Sequence, residues 1–565
     1  MSLFSSIQVA NNALRSAQIG LEVTGNNIAN ANTPGYLRQE MVLTPAQTQQ
    51  NGNLLLGMGV HIEAIVQKSD AFLEERLRGA ASELANGETQ EETYVQLEQL
   101  IGELSDTDIS SSMNRFFGSI HDILNEPDSH AVRNLAILQG ETLADDIKRL
   151  DQQVRNVREN VNNQIESTAG SINSLLKKIA DLNVKIVTAE GGSSLSSDAV
   201  GLRDQRLTAL NELAQLIDIN AIEQPDGSMS VFSEGDYLAF AGVYREVETE
   251  LGDDRGLSTY SIRIKDTKAP LSTTSGELAG LINSRDEILG GFLDQLDEFA
   301  KSLAYEFNKV FSSGQGITGY SNLTSEFSVS DTTASLANAG LTFEPINGSF
   351  QVLVRNTQTG ITETTDIFVP INGADDDLSL DDLAAALDAV DGISAQVDPD
   401  RRLQLNADSQ NLEFSFAKDT SGVLASLGLN TFFSGDSSNT IGINQRIKDD
   451  PSKFAASQQG IGADTKNAEI LATFLEYTLD EKGGTTLSQI YEELTGETTQ
   501  AASVARSVAE GFRVFHNTLE GQKLAVSGVN LDEETVNMLS FQKVYQANAR
   551  YIQTINELLE VLVTL

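Results

Sequence analysis

The 565-residue chain has no cysteine and no tryptophan, four histidines, nine prolines and few cations. Its 38 lysines and arginines face 81 aspartates and glutamates, a net charge of −43. The missing cysteine excludes disulfides, thiolate metal sites, iron–sulfur clusters and a cysteine nucleophile. Aromatic residues make up 6% of the chain, which is thin for a carbohydrate-stacking site. The acidic excess argues against a nucleic-acid partner or an anionic membrane surface. No apolar run is long enough to span a bilayer, so no membrane insertion is expected. The opening MSLFSSIQVANNALR carries no cation before Arg15. No cleavable secretory signal is therefore visible, and the chain is expected either to stay in the cytosol or to leave by a route that reads none.

Chemistry-bearing motifs are equally scarce. His61, His121, His130 and His516 have no metal-ligand spacing to one another. GMGV (57–60) lacks the third glycine of a dinucleotide fingerprint and reads as a loop. GADDDLSLDD (373–382) lacks the alternating acidic ladder of a calcium loop and reads as a helix start with solvated acids. No nucleophile elbow or phosphate-binding loop is present. The expectation is no catalytic residue, no metal and no cofactor.

What the chain does have is heptads. Leu3, Ile7, Ala10, Leu14, Ala17, Leu21, Thr24, Ile28 and Ala31 fall at alternating gaps of four and three, a seam over the first helix. Ser2 suits its N-cap. GNNIANANTPGY (25–36) ends it: asparagine is a mediocre helix former, and Pro34-Gly35 fit the centre of a type II turn. The other end of the chain repeats the pattern at Leu531, Glu534, Met538, Phe541, Tyr545, Asn548, Ile552, Ile555, Leu559 and Leu562. The two seams are expected to pair with each other or with copies in other subunits. A third heptad run, from Leu143 to Ile186, has a stutter at Val161–Ile165 and predicts a helix roughly 65 Å long. Further helices are expected at about 71–104, 109–124, 201–217, 276–312, 464–480 and 498–525.

Between helices the pattern changes. QPDGS (224–228) precedes MSVF, and FSVS, SFQVLVRN, TDIFVPI and RLQLN read as strands in 325–440. SLDDLAAALDAV (379–390) reads as a short helix capped by Ser379. The fold class is α+β and multidomain: a long helical-bundle frame built from both chain ends, with two inserted β-rich domains. The boundaries are 1–45 and 525–565 for paired terminal helices, 46–217, 276–324 and 441–524 for a helical frame, 218–275 for one β-rich domain, and 325–440 for an outer β-rich insert with a short helix. Charge is uneven: residues 1–40 balance Arg15 and Arg38 against Glu22 and Glu40, so the acidic excess lies in the middle.

NNIANANTPGYLRQ (26–39) resembles the N-terminal motif of the bacterial flagellar axial family, which comprises rod, hook and hook-associated subunits. SGVNLDEETVNMLSFQKVYQANARYIQTINELLEVL (527–562) is similar to the hook-associated branch that sits where hook meets filament. FFGSIHDILNEPDSHAVR (116–133), LRDQRLTALNEL (202–213) and the stretch 276–308 extend the likeness over most of the helical frame; it fades over 325–440. The resemblance implies a secreted, non-enzymatic structural protein that exports through the flagellar apparatus without a cleaved signal. It implies copies of itself in a ring as partners, with hook protein below, a second junction protein and filament above, and an export chaperone. It also places the terminal helices in an inner tube. The polymer interface is then expected at Leu3, Ile7, Leu14, Leu21, Asn26, Asn27, Ile28, Asn30, Asn32, Pro34, Gly35, Tyr36, Phe541, Tyr545, Asn548, Arg550, Ile552, Ile555, Leu559 and Leu562. Uncharged asparagine amides suit the fixing of subunit register. The ends, about 1–45 and 525–565, are expected to be mobile in the free monomer. A secreted enzyme with its site in 325–440, and an adhesin using that insert, are the other two classes the sequence allows. The insert has no histidine and no cysteine, which leaves an enzyme there only carboxylate or Ser/Lys chemistry.

Overall fold

The computed structural model of the chain describes residues 3–33, 35–51, 54–102, 108–191, 197–373, 377–462, 464–479 and 483–564. The helices in chain order are α1 (Leu3–Ala29), α2 (Ala71–Gly102), α3 (Ile109–Asn125), α4 (His130–Ala189), α5 (Val200–Leu216), α6 (Glu277–Asn283), α7 (Gly290–Ser312), α8 (Leu380–Asp388), α9 (Val423–Leu427), α10 (Gln445–Asp449), α11 (Lys466–Ala472), α12 (Leu487–Ser527) and α13 (Leu531–Thr564). They divide between two compact units: Met1–Thr93 with Glu159–Arg285 and Ser503–Leu565, and Tyr94–Arg158 with Asp286–Ala502.

In the first unit α1 and α13 pack along each other. The packing is close because α1 turns small residues inward: Ala10, Ala17, Gly20 and Thr24 are buried. A Cβ at Gly20 would lie 2.7 Å from the Phe541 ring, so only glycine admits that ring. After α1 the chain forms two antiparallel pairs. β1 (Gln39–Pro45) pairs with β4 (Val60–Gln67) across a bulge at Val42/Leu43, and β2 (Thr48–Asn51) pairs with β3 (Leu54–Gly57). A four-stranded meander follows α5: β5 (Asn220–Glu223), β6 (Met229–Ser233), β7 (Asp236–Phe240) and β8 (Val243–Tyr244). The hairpin β9 (Val247–Asp254) and β10 (Leu257–Ile264) completes the sheets of this unit.

The α4 stretch of the first unit buries Val161, Ile165, Ile172, Ile179, Leu182 and Ile186, all seam positions. It also carries three asparagines that grip strand backbone. The Asn162 amide donates to Ser258 O at 3.0 Å and accepts from Tyr260 N at 2.8 Å. Asn173 makes the same pair with Val247. Asn183 makes it with Met229, and also donates to Ala241 O. Spacings of eleven and ten residues are close to three helical turns, so all three amides lie along one line.

The second unit has two cores. A cluster of phenylalanines joins α3 and α7 to the segments around 432–433 and 474: Phe116, Phe307, Phe432 and Phe433 lie within 5.7 Å of one another in pairs, and Phe117 stacks on Phe474 just after α11. The other core fills a β-rich body. Its sheets are β11 (Asn322–Thr324) with β15 (Leu403–Ala407) and β14 (Ile393–Val397), and β13 (Thr362–Val369) with β12 (Gly348–Asn356) and β16 (Leu412–Ala417). Ser379 caps α8 in a reciprocal capping box with Asp382.

Several expectations need correction. α4 runs 60 residues, about 90 Å, because its amphipathic face starts at His130 rather than Leu143. The helix expected over 276–312 is interrupted by a π-helical stretch at Ser284–Leu289. The one expected over 464–480 is a short α11 followed by a 3-10 turn. FSVS (327–330) is not a strand: Phe327 N, Val329 N and Ser330 N donate to Leu427, Arg401 and Ala339, three separate segments, so no ladder forms. Strands β1–β4 fall where no strand was expected. The Ser2 cap lies outside the described residues.

Candidate assembly surface

Where α1 ends, the chain turns sharply. Tyr36 N donates to Thr33 O at 3.2 Å, and Gly35 has φ +77°. A Cβ there would lie 2.7 Å from Thr208 Oγ1, so both backbone and space require glycine. Asn27, buried on α1, organises the turn. Its Oδ1 accepts from Tyr36 OH at 2.8 Å and from Gln39 N at 2.9 Å. Its Nδ2 donates to Gln39 O at 3.0 Å and to Glu534 Oε2 at 3.3 Å. The amide that the sequence assigned to a neighbouring subunit is thus filled within its own chain.

Glu534 belongs to the first turn of α13 and is 2% exposed. Arg38 covers it: Nη2 lies 2.7 Å from Glu534, and Nη1 lies 2.8 Å from Glu533. Burial opposes the Arg38 charge, but the hydrogen bond to Glu533 and the charge of Glu534 outweigh it and raise its pKa. Burial, with the charges of Asp204 and Glu534 nearby, pushes the Tyr36 phenol up to about 12. Arg38 N also donates to Ser527 O at the end of α12. The N-terminal turn is therefore latched to both C-terminal helices by polar contacts, while Gly20 and Phe541 join α1 to α13 by packing. Nothing in the spacing pointed to Arg38, Gln39 or Ser527. A lone acid at an apolar seam position, Glu534, was the visible clue.

The remaining expected residues separate into two groups. Leu3, Ile7, Leu14, Leu21, Ile28, Phe541, Asn548, Ile552 and Leu559 are half-buried and Ile555 is buried. Asn26, Asn32, Gly35, Tyr545 and Arg550 are exposed. The Asn30 and Asn548 amides donate to carbonyls four residues back in their own helices. Pro34 and the side chain of Leu562 lie outside the described residues.

Packing on α1 does not exhaust the apolar surface of α13. Leu531, Met538 and Tyr545 are exposed at seven-residue spacing, and so are Val544, Tyr551 and Leu558. By helical periodicity these two lines flank the packed face on either side. α12 adds Val504, Val508, Phe515 and Val526, exposed along one stripe. An amphipathic helix in an isolated globular protein has one apolar face; α13 has apolar residues on three. Among the described residues no group of three or more His, Asp and Glu side chains is placed to hold a metal, and no described helix is long and apolar enough to cross a membrane.

Comparison with known proteins gives three family-model matches. "Flagellar hook-associated protein FlgK helical domain" matches residues 94–326. "Flagellar basal body rod FlgEFG protein C-terminal" matches 521–565, and "Flagella basal body rod protein" matches 7–36. The chain is 24% identical to flagellar hook-associated protein 1 of Salmonella typhimurium, over 99% of this chain and 100% of that one. It is 25% identical to the Escherichia coli protein of the same name, with the same coverage. The Bacillus subtilis protein is also 25% identical, over 99% of this chain and 97% of its own. A solved structure, described as the flagellar hook junction protein FlgK from Burkholderia pseudomallei, superposes with a TM-score of 0.50 at 17% identity. It covers 80% of this chain and 100% of that one.

Proposed function

We infer that the chain belongs to the flagellar hook-associated protein 1 family, which its full-length likeness to proteins of that name supports, and on that premise that it polymerises between hook and filament as the adaptor on which the filament is built. The observation that carries this reading is the three-sided apolar surface of α13 beside the exposed stripe of α12. Fully burying one Leu, Val or Met side chain is worth about 1.5–3 kcal/mol, so a few such residues per neighbour supply the affinity a ring needs. The mechanism is geometric and non-enzymatic.

The interface uses the exposed residues of α1, α12 and α13, including Asn26, Asn32, Tyr545 and Arg550. Hook protein lies below, and a second junction protein and filament lie above. Export proceeds through the flagellar apparatus, with a chaperone covering the apolar ends and without a cleaved signal. The near-neutral ends suit close approach around an axis, since like charges packed in a small ring repel. The test is electron microscopy of cells lacking the gene, with a blot for filament protein in the medium. Bare hooks and filament protein lost to the medium are expected; full-length filaments would reject the junction role.

A further inference from the structure

Arg78 of α2 is 6% exposed, yet makes no hydrogen bond or ion pair with any described residue, and its Nε is sealed from solvent without an acceptor. Two carboxylates of its own helix, Glu74 and Glu75, favour its charge without hydrogen-bonding it, and burial outweighs them. Glu74 is itself engaged by Lys523 at 2.9 Å, and Glu75 is exposed. Arg78 lines an open cavity of about 540 Å³ between the turn after α1, α2, α5 and α12. The α12 wall also carries the exposed Glu520 and the half-buried Lys523, neither of them hydrogen-bonded to Arg78. Asn211, on the α5 wall of the same cavity, also has a buried Oδ1 without a partner. A buried guanidinium without a hydrogen-bond acceptor is unfavourable in the isolated chain, as is an unpaired buried amide oxygen. Neither is accounted for by packing of the monomer.

We propose that this cavity is a socket for an acidic side chain of a second copy of the chain, with Arg78 as the buried cation that receives it. The inference rests on the assembly reading above. Three features select a second copy. Asn32 and Thr33 in the exposed turn after α1, and Leu524 of α12, 65% exposed, form part of the cavity's wall, so its mouth is continuous with the proposed interface. The proposed interface itself supplies acids: Asp532, Glu533, Glu557 and Glu560 of α13 are exposed, so a neighbouring copy brings carboxylates to the cavity's mouth. A carboxylate matches the planar fork of a guanidinium and brings the hydrogen-bond acceptor that Arg78 lacks. The site then reads as half of an ion pair that assembly completes.

Two experiments decide it. Arg78→Met keeps the volume and removes the charge. The purified monomer is expected to melt at the wild-type temperature or above, while cells expressing the variant export it normally but carry roughly tenfold fewer hooks with filaments. A lower melting temperature would make Arg78 a structural residue of the monomer and overturn the proposal. So would normal filament numbers. If the wild-type gene itself failed to restore filaments to the deletion strain, the junction role would fall instead, so the two failures are distinguishable. In the second experiment Gln215→Cys, on the cavity wall and alone in a cysteine-free chain, carries a photoreactive maleimide. Illumination of assembled hooks is expected to give an adduct with an acidic peptide of another copy. An adduct only with its own chain would overturn the proposal.

Discussion

At the residue scale, asparagine does much of the joining in this chain, and does so within one subunit. Asn183 is fully buried and holds Met229 N and O, Ala241 O and the Arg206 guanidinium together. Asn183→Ala removes these bonds and strands buried backbone groups, so a loss of about 2–3 kcal/mol is expected in denaturant unfolding monitored by circular dichroism. Asn183→Asp, which keeps the acceptor but not the donor, is expected to recover only part of it. A loss below 1 kcal/mol for the alanine variant would show that water replaces the amide. Asp204 gives a pH-dependent counterpart. Burial raises its carboxyl to about 6, against the pull of Leu37 N and the Gln67 amide. A carboxyl whose folded pKa is raised stabilises the fold at low pH, and that contribution is lost as pH rises through 6. Asp204→Asn keeps the acceptor and removes the charge. Its melting advantage over wild type is therefore expected above pH 7 and should shrink below pH 5. An advantage that grows towards acid would reverse the sign and refute the argument.

At the scale of elements, the helices were legible because each buries a seam, and heptad spacing survives any detail of packing. α13 lies where its heptads put it, whereas α4 starts at His130 rather than Leu143 and α12 at Leu487 rather than the expected 498. β1 and β4 were not legible: a bulge shifts the register at Val42/Leu43, and Val42 and Leu43 are both more than a third exposed, so the period-2 signal is broken in phase and weak in contrast. The apolar flanks of α13 were written in the same residues as its seam. The sequence therefore showed an apolar helix without showing which of its faces α1 would cover. Tyr545 illustrates this: it fits the heptad but stands on the exposed flank. The polar latch of Asn27, Arg38 and Glu534 was illegible in spacing because it joins positions about 500 residues apart. Gly20 tests the α1–α13 pairing directly. Gly20→Val places a branched side chain against the Phe541 ring, and overpacking typically costs about 1–3 kcal/mol. The expected outcome is faster protease cleavage within 1–45 and 525–564 while the phenylalanine core of the second unit stays protected. Unchanged cleavage would mean that the two helices separate readily in the wild-type monomer as well.

At the scale of the whole molecule, the charge map and the apolar map are opposed. The chain carries −43, while residues 1–40 carry none of it and the exposed apolar lines lie on α12 and α13. Two monomers approaching in dilute salt therefore repel over the bulk of their surface before their apolar faces meet. The screening length falls from about 30 Å at 0.01 M salt to about 10 Å at 0.1 M, while burial of apolar surface is not weakened by sodium chloride. Self-association of the purified chain is expected to rise with salt, seen in sedimentation velocity as a shift to larger species between 10 and 300 mM NaCl. A buried ion pair such as the one proposed for Arg78 is little screened and does not reverse this trend. If salt dissociates the assemblies, surface ion pairs rather than apolar lines hold the copies together. The interface would then have to be sought on the acidic middle of the chain rather than at its ends.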